Sequence, residues 1–263
     1  MKSMIFAAGL GTRLKPLTDS VPKALVPVAG RTLLEHTCRK LMASGIYETV
    51  INVHHFAEMM ESWISSRDWI SLSGEECQGK MLVHISDERA MLLETGGAVL
   101  HARRFLEGCG SFLVHNVDIM SDCDISWLRE QVRPDALATL LVSTRKTTRF
   151  FLFDPDTKRL TGWRNTATGE VVMSDPSSDP DDCLAYGFSG IHILSDSVFE
   201  LMDEYLLEKG LPAGAKFSIK DFYLWAAAGK PIYAAVGEGL QLLDVGKLDA
   251  LQPAEEFVKS IKY

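Results

Sequence analysis

The sequence predicts an α/β fold, a doubly wound, mostly parallel mixed sheet that carries a β-hairpin and loop insertion. Three observations carry this. Short apolar runs alternate with segments of helical spacing from residue 2 to residue 143, the rhythm of a parallel sheet with helical crossovers. The first apolar run breaks into a glycine loop at Gly9 and Gly11, where a backbone can approach a ligand closely. After residue 145 the rhythm changes to two closely spaced strands around Asp154-Pro155-Asp156. A chain of 263 residues, 46% hydrophobic and 24% charged, is ample for one such domain with a buried core.

Residues 2–8 read as a buried strand feeding the glycine loop. Residues 32–44 set Leu34, Cys38 and Leu41 on one helical face, with Gly45 as the stop. Strand 48–53, helix 56–64 and strand 81–86 follow. Helix 97–105 is expected to open at Gly96-Gly97, and 111–117 is a strand apolar on both faces. Helix 125–132 and strand 136–143 complete the alternation. The hairpin comprises 150–153 and 159–163. The Pro- and Asp-rich stretch 174–182 is expected to be a mobile surface loop, a candidate lid. Residues 186–194 return to strand, Ser195 is expected to cap helix 198–208, and helix 219–228 and strands 232–236 and 241–245 close the fold. The expected division is a domain over 1–246, with the insertion at about 145–185 on the substrate side, and a helical tail over 247–263.

The formal net charge is −8, which argues against non-specific nucleic-acid binding. No stretch approaches the roughly 20 apolar residues of a membrane span. Cys38, Cys77, Cys109, Cys123 and Cys183 are five in number and lack metal-like spacing, so reduced thiols and a cytoplasmic location are expected. Nothing opposes a homo-oligomer. Against the acidic background, residues 1–31 hold five basic residues and one acid, Asp19. A glycine loop with Arg13, Lys15 and Lys23 just beyond it suits a bound polyanion. The loop is neither a GxGxxG fingerprint nor a Walker loop.

The run Ala7-Ala8-Gly9-Leu10-Gly11-Thr12-Arg13-Leu14, followed by Pro22-Lys23-Ala24-Leu25-Val26-Pro27-Val28-Ala29-Gly30, resembles the signature of sugar-phosphate nucleotidyltransferases. It departs from the family pattern at Ala8 and Ala24. Glu94-Thr95-Gly96-Gly97, Asn116-Val117-Asp118, Phe188-Ser189-Gly190-Ile191-His192 and Asp244-Val245-Gly246 resemble further family motifs, in the family's order. The similarity is greatest to short N-acetylmuramate-1-phosphate uridylyltransferase-like members. It implies a Rossmann-like nucleotidyltransferase fold. It also implies a Mg²⁺-dependent enzyme joining an NTP, with UTP favoured, to a sugar 1-phosphate with release of pyrophosphate.

The resemblance also implies roles. Ala8, Gly9, Leu10, Gly11, Thr12, Arg13, Glu94, Thr95, Gly96 and Gly97 would face the nucleotide. Arg13 would stabilise the pyrophosphate, and Lys23 would contact the reacting phosphates. Asp118 and Asp244 would hold the metal, and Asn116, Arg149, Gly190 and Lys23 would serve the sugar phosphate. Taken singly, Asp118 could equally cap the next segment and Asp244 could be a solvated strand end. Arg145, Lys146 and Arg149 could be a solvated basic face. Val117 and Lys247, where Gly and Thr are usual, keep a catalytically silent nucleotide-sugar binder as the alternative. Glucose- or mannose-1-phosphate chemistry is a further alternative. Asp122-Cys123-Asp124 matches the D-x-D of glycosyltransferases but lies at the start of the next helix.

Overall fold

A computed structural model describes residues 1–73 and 79–261, so the expectations for Cys77 and for a tail reaching Tyr263 lie outside the described residues. In chain order the main elements are β1 (Lys2–Phe6), α1 (Leu33–Ala43), β2 (Glu48–Val53), α2 (Ala57–Ser65), β3 (Met81–Asp87), α3 (Glu94–His101), β4 (Ser111–Asn116), β5 (Ile119–Ser121) and α4 (Ile125–Glu130). They continue with β6 (Ala138–Ser143), β7 (Arg149–Phe153), β8 (Leu160–Asn165), β9 (Glu170–Met173), β10 (Leu184–Ser195), α5 (Val198–Glu208), α6 (Ile219–Ala226), β11 (Ile232–Val236), β12 (Leu242–Asp244) and α7 (Leu251–Ser260).

The predicted α/β class and mixed, mostly parallel sheet are present. The main path runs β9-β8-β7-β10-β4-β1-β2-β3, with Ile70–Ser71 at the far edge. β4, β1, β2 and β3 are parallel neighbours, β10 lies antiparallel between β4 and β6, and β11 runs parallel to β6. Each face of the sheet carries a hydrophobic core. One is built on Ile5, Ile51 and Leu113 with α1 and α2, the other on Met4, Phe112 and Val114 with α5 and α6. Adjacent residues of one strand point to opposite faces, so both layers of helices come directly from the apolar runs in β1 and β4.

Several local expectations are corrected. The hairpin is a three-stranded antiparallel extension, because 170–173 pairs with β8. Loop 174–182 ties back onto that extension, with Arg164 donating to Asp181 and to the Pro180 carbonyl. α3 starts at Glu94, so Gly96 and Gly97 lie inside its first turn. Ser195 does not cap α5. Its hydroxyl accepts from the Ser197 amide in the turn before the helix. Thr32 caps α1, accepting from the Glu35 amide at 3.1 Å. In the tail, Ala254 of α7 is fully buried in the same core as β1. No helix among the described residues is long and apolar enough to cross a membrane.

Candidate active site

The carboxyl ends of β1, β2 and β4 converge, the place where open α/β sheets bind ligands. Two recesses lie there, of about 230 and 290 Å³, and Asn116 and Asp118 line both. The first is also lined by Ala8, Gly9, Lys23, Asn52, Glu94 and Thr95. The second is lined by Arg13, Arg145, Arg149, Gly190, Lys220 and Asp244, with Phe151, Trp163 and Phe188 as an aromatic wall.

The glycine loop is set by side chains behind it. The Ala7 and Ala8 amides donate to Asn52 Oδ1 at 2.7 and 3.3 Å, and Asn52 Nδ2 donates to Glu88 Oε1 at 2.7 Å. Glu88 is 2% exposed and also accepts from the Leu93 amide. Burial pushes its carboxyl above the usual range, against the lowering effect of these two donors. Gly11 adopts φ +64°, and a Cβ there would stand 2.8 Å from Thr18 Cγ2, so both backbone and space demand glycine. A Cβ on Gly9 would meet nothing within 4 Å, which leaves the recess open.

Asp118 follows β4, and its carboxylate pairs with the Lys23 ammonium; both side chains are largely buried. β12 pairs antiparallel with β5, placing Asp244 opposite Ile119, and the Val245 amide donates to the Asp118 carbonyl at 2.8 Å. The two predicted carboxylates thus come from the turn between β4 and β5 and from the end of β12. A buried lysine, Lys40 of α1, donates to the Ser121 and Cys123 carbonyls at 2.7 and 2.8 Å and pins the segment after β5. Gly246 sits beside both Asp244 and Arg13, and a Cβ there would lie 2.6 Å from Arg13 Nη2 and 2.6 Å from Asp244 Oδ1. Gly190 (φ +80°) does the same for Asn116, whose Nδ2 would be 2.7 Å from an added Cβ.

Not every predicted residue reaches a recess. Leu10, Gly11 and Thr12 form the turn beyond the first one and do not line it. Gly96 and Gly97 face away. A Cβ on Gly96 would stand 2.4 Å from the Phe217 ring, and one on Gly97 would stand 2.8 Å from the Ala215 carbonyl. Both amides donate to the Phe217 carbonyl, and Thr95 Oγ1 accepts from the Ile219 amide at 3.0 Å. These contacts join α3 to the start of α6. Lys15 pairs with Asp19 at the surface. Lys146 is exposed, whereas Arg145 turns inward and donates to the Phe188 carbonyl at 2.9 Å. Loop 174–182 lines neither recess, contrary to the lid expectation. Asp122 and Asp124 accept from the Gln241 and Ser126 amides, which are structural uses of the D-x-D acids. Asn52, Glu88, Trp163 and Lys220 belong to no motif; Asn52, Glu88 and Lys220 are marked only by position near a strand or helix end, and Trp163 lies within β8.

Among the described residues no group of three or more His, Cys, Asp or Glu could hold a metal by itself. Two hard carboxylates, one from the turn after β4 and one at the end of β12, nevertheless suit a divalent cation, of which Mg²⁺ is commonly held by one or two carboxylates and completed by substrate phosphates and water.

Two recesses sharing a carboxylate, with cations around a glycine loop at the end of a parallel sheet, define a nucleotide-handling α/β protein. Residues 2–261 match the model of the nucleotidyl transferase family, and the chain belongs to that family. It is 43% identical over 116 residues to an N-acetylmuramate alpha-1-phosphate uridylyltransferase of Caulobacter vibrioides, covering 44% of this chain and 45% of that one. A protein of the same name from Neisseria meningitidis serogroup B is 39% identical over 127 residues, covering 48% of this chain and 50% of that one. The matches thus span about half the length of these relatives. The crystal structure of HddC from Yersinia pseudotuberculosis complexed with GMP-PN superimposes with a TM-score of 0.69 at 20% identity, over 98% of this chain and 99% of that one. At that identity the likeness is one of fold.

Proposed function

We propose that the chain transfers a uridylyl group from UTP to a sugar 1-phosphate, with N-acetylmuramate 1-phosphate as the acceptor. The observation that carries this is the meeting of the two recesses at Asp118. A nucleotide in the first recess and a sugar phosphate in the second would place their phosphates against the same carboxylate. The names of the two relatives matched over about half their length support uridine and the acidic amino sugar.

An acceptor phosphate oxygen attacks the α-phosphorus. The new P–O bond forms as the bond to the β-phosphate breaks, and pyrophosphate leaves. The acceptor phosphate, with a second pKa of about 6, is already ionised at neutral pH, so no general base is needed. Arg13 reaches over Gly246 to neutralise the departing pyrophosphate. Lys23 exchanges its Asp118 partner for the reacting phosphates, and Asn116 contacts hydroxyls at the junction. Asp118 and Asp244 would hold Mg²⁺, which would supply charge neutralisation for the phosphates.

The test is pyrophosphate release with Mg²⁺ for each of five NTPs against N-acetylmuramate, N-acetylglucosamine, glucose and mannose 1-phosphates. UTP with N-acetylmuramate 1-phosphate should turn over best, and Asp118→Ala should lower kcat by about 10³-fold or more through loss of metal and Lys23 positioning. Binding of a nucleotide sugar without any turnover would sink the enzyme reading in favour of a silent binder.

A further inference from the structure

The second recess is lined by four cations, Arg13, Arg145, Arg149 and Lys220, and two carboxylates, Asp118 and Asp244. Arg13 lies with Asp244 around Gly246, and Arg145 is within electrostatic reach of Asp244. These mark the end where metal and phosphates meet. Lys220 stands instead on the aromatic wall, its Nζ 4.3 Å from the Trp163 ring centroid. Trp163 pairs with Phe151 across β8 and β7, and both are almost fully buried. The wall is therefore apolar and faceted, with the Phe188 ring inclined 68° to that of Phe151 and the Lys220 cation over the Trp163 face.

Local structure does not explain that lysine. Lys220 occupies the first turn of α6, one residue after Ile219 and two after the capping Ser218. The positive end of a helix dipole disfavours a cation there. Asp221 pairs with it at 2.8 Å, but that carboxylate is 53% exposed and the pair is worth little to stability. The backbone beneath is held firmly all the same. Thr95 Oγ1 accepts from the Ile219 amide, and the Gly96 and Gly97 amides donate to the Phe217 carbonyl. A residue that opposes its helix, on a segment clamped to the nucleotide side, is placed for a ligand.

We infer that Lys220, seated on Trp163, is a specificity residue that pairs with a carboxylate on the sugar ring of the acceptor rather than with its 1-phosphate. This rests on the reading of the second recess as the acceptor pocket. The ring would lie on the aromatic wall with its phosphate directed to Asp118 and Arg145. A carboxylate carried on an ether arm, as in N-acetylmuramate, would then meet the ammonium over Trp163. A neutral N-acetylglucosamine ring would leave Lys220 facing water.

The experiment is calorimetric titration of N-acetylmuramate 1-phosphate and N-acetylglucosamine 1-phosphate into wild type, Lys220→Met and Lys220→Arg, with steady-state rates for the same pairs. Lys220→Met should weaken the acidic ligand about 30-fold, the scale of one charge-assisted hydrogen bond. The neutral ligand should stay within about threefold, and the rate change should fall on KM rather than kcat. Lys220→Arg should recover most of the loss, a rescue that a purely structural role for Lys220 does not predict. Equal weakening of both ligands would assign Lys220 to the phosphate and overturn the inference. So would no weakening of either, or a wild type that does not prefer the acidic ligand. Should the wild type turn over neither acceptor while Lys220 still governs binding of the acidic one, the transferase reading fails and this inference stands.

Discussion

Gly246→Ala separates positioning from stability at this site. The added methyl would sit 2.6 Å from Arg13 Nη2, 3.2 Å from Arg13 Cζ and 2.6 Å from Asp244 Oδ1. Non-bonded heavy atoms settle at about 3.5–4.0 Å, so the guanidinium must withdraw by about 1 Å and the Asp244 carboxylate must turn. Turning strains the 2.8 Å hydrogen bond that Asp244 Oδ1 accepts from the Gly246 amide. The crowded atoms are ends of flexible side chains, and Gly246 does not occupy the left-handed region, so the backbone accepts alanine. Losing a glycine also restricts the unfolded chain, a gain of roughly 0.4–1 kcal/mol where the conformation is compatible. Stability should therefore hold within about 1 kcal/mol, while misplacing Arg13 by this distance should cost about 10²-fold in kcat. The assays are urea unfolding and pyrophosphate release on the same preparation. In the Arg13→Ala background, Gly246→Ala should slow the enzyme by less than it slows wild type, because the Arg13 part of the displacement is already absent and only that of Asp244 remains. An unchanged kcat, or activity that falls only in step with stability, refutes the reasoning.

Other expectations follow from the buried polar groups. Asn52→Leu removes the acceptor of the Ala7 and Ala8 amides and a donor to Glu88. It should cost about 2–4 kcal/mol in urea unfolding and weaken UTP binding more than acceptor binding, because it disturbs the glycine loop. His115 and His192 are buried and held neutral. Burial pushes His115 down to about 4, with the charge of Lys40 adding to it, and burial pushes His192 down to about 3, with His115 adding. Their stability contribution is complete above the unfolded value of about 6.5 and is lost as pH falls below it toward the folded values. Unfolding free energy should thus drop by about 4 kcal/mol for the pair between pH 7 and pH 5. Glu88 works in the opposite sense, since its raised pKa favours the fold as pH falls. Neither ring nitrogen of His192 has a hydrogen-bond partner among the described residues. His192→Leu should therefore keep stability at pH 7 within about 1 kcal/mol and remove about half of the histidine slope.

The layers of the fold were legible because β1, β2 and β4 are apolar on both faces and end where polar residues begin. Asp118, Asp244, Arg13 and Lys23 were legible because each sits in a motif, and the structure brings all four to the edges of the two recesses. The neighbours of the glycines were not legible. Gly96 and Gly97 announce a missing Cβ, but the chain does not state which neighbours use the space, and these are Phe217 for Gly96 and Ala215 for Gly97, far along the sequence. β9 was missed because 170–173 is short and mostly exposed, with no alternation to mark it. Asn52, Glu88 and Lys220 were missed because each is a single polar residue whose partners come from tertiary contact alone. The Asp- and Pro-rich stretch 174–182 suggested a lid by composition, whereas its carboxylates serve their own turns and Arg164.

β10 is one strand with two sets of neighbours. Its first residues pair with β7 of the extension, and its later ones lie between β4 and β6. A chimera that trades acceptor preference between relatives by exchanging the segment around 145–185 would cut through this strand's partners. The donor segment must arrive with a β7 edge in register with Leu184–Tyr186, or that half of β10 is left as a bare edge open to pairing with another molecule. Recombination breakpoints placed beyond Gly190, where β10 lies antiparallel between β4 and β6, would keep strand and extension from the same parent. The working unit of exchange is therefore longer than the insertion itself.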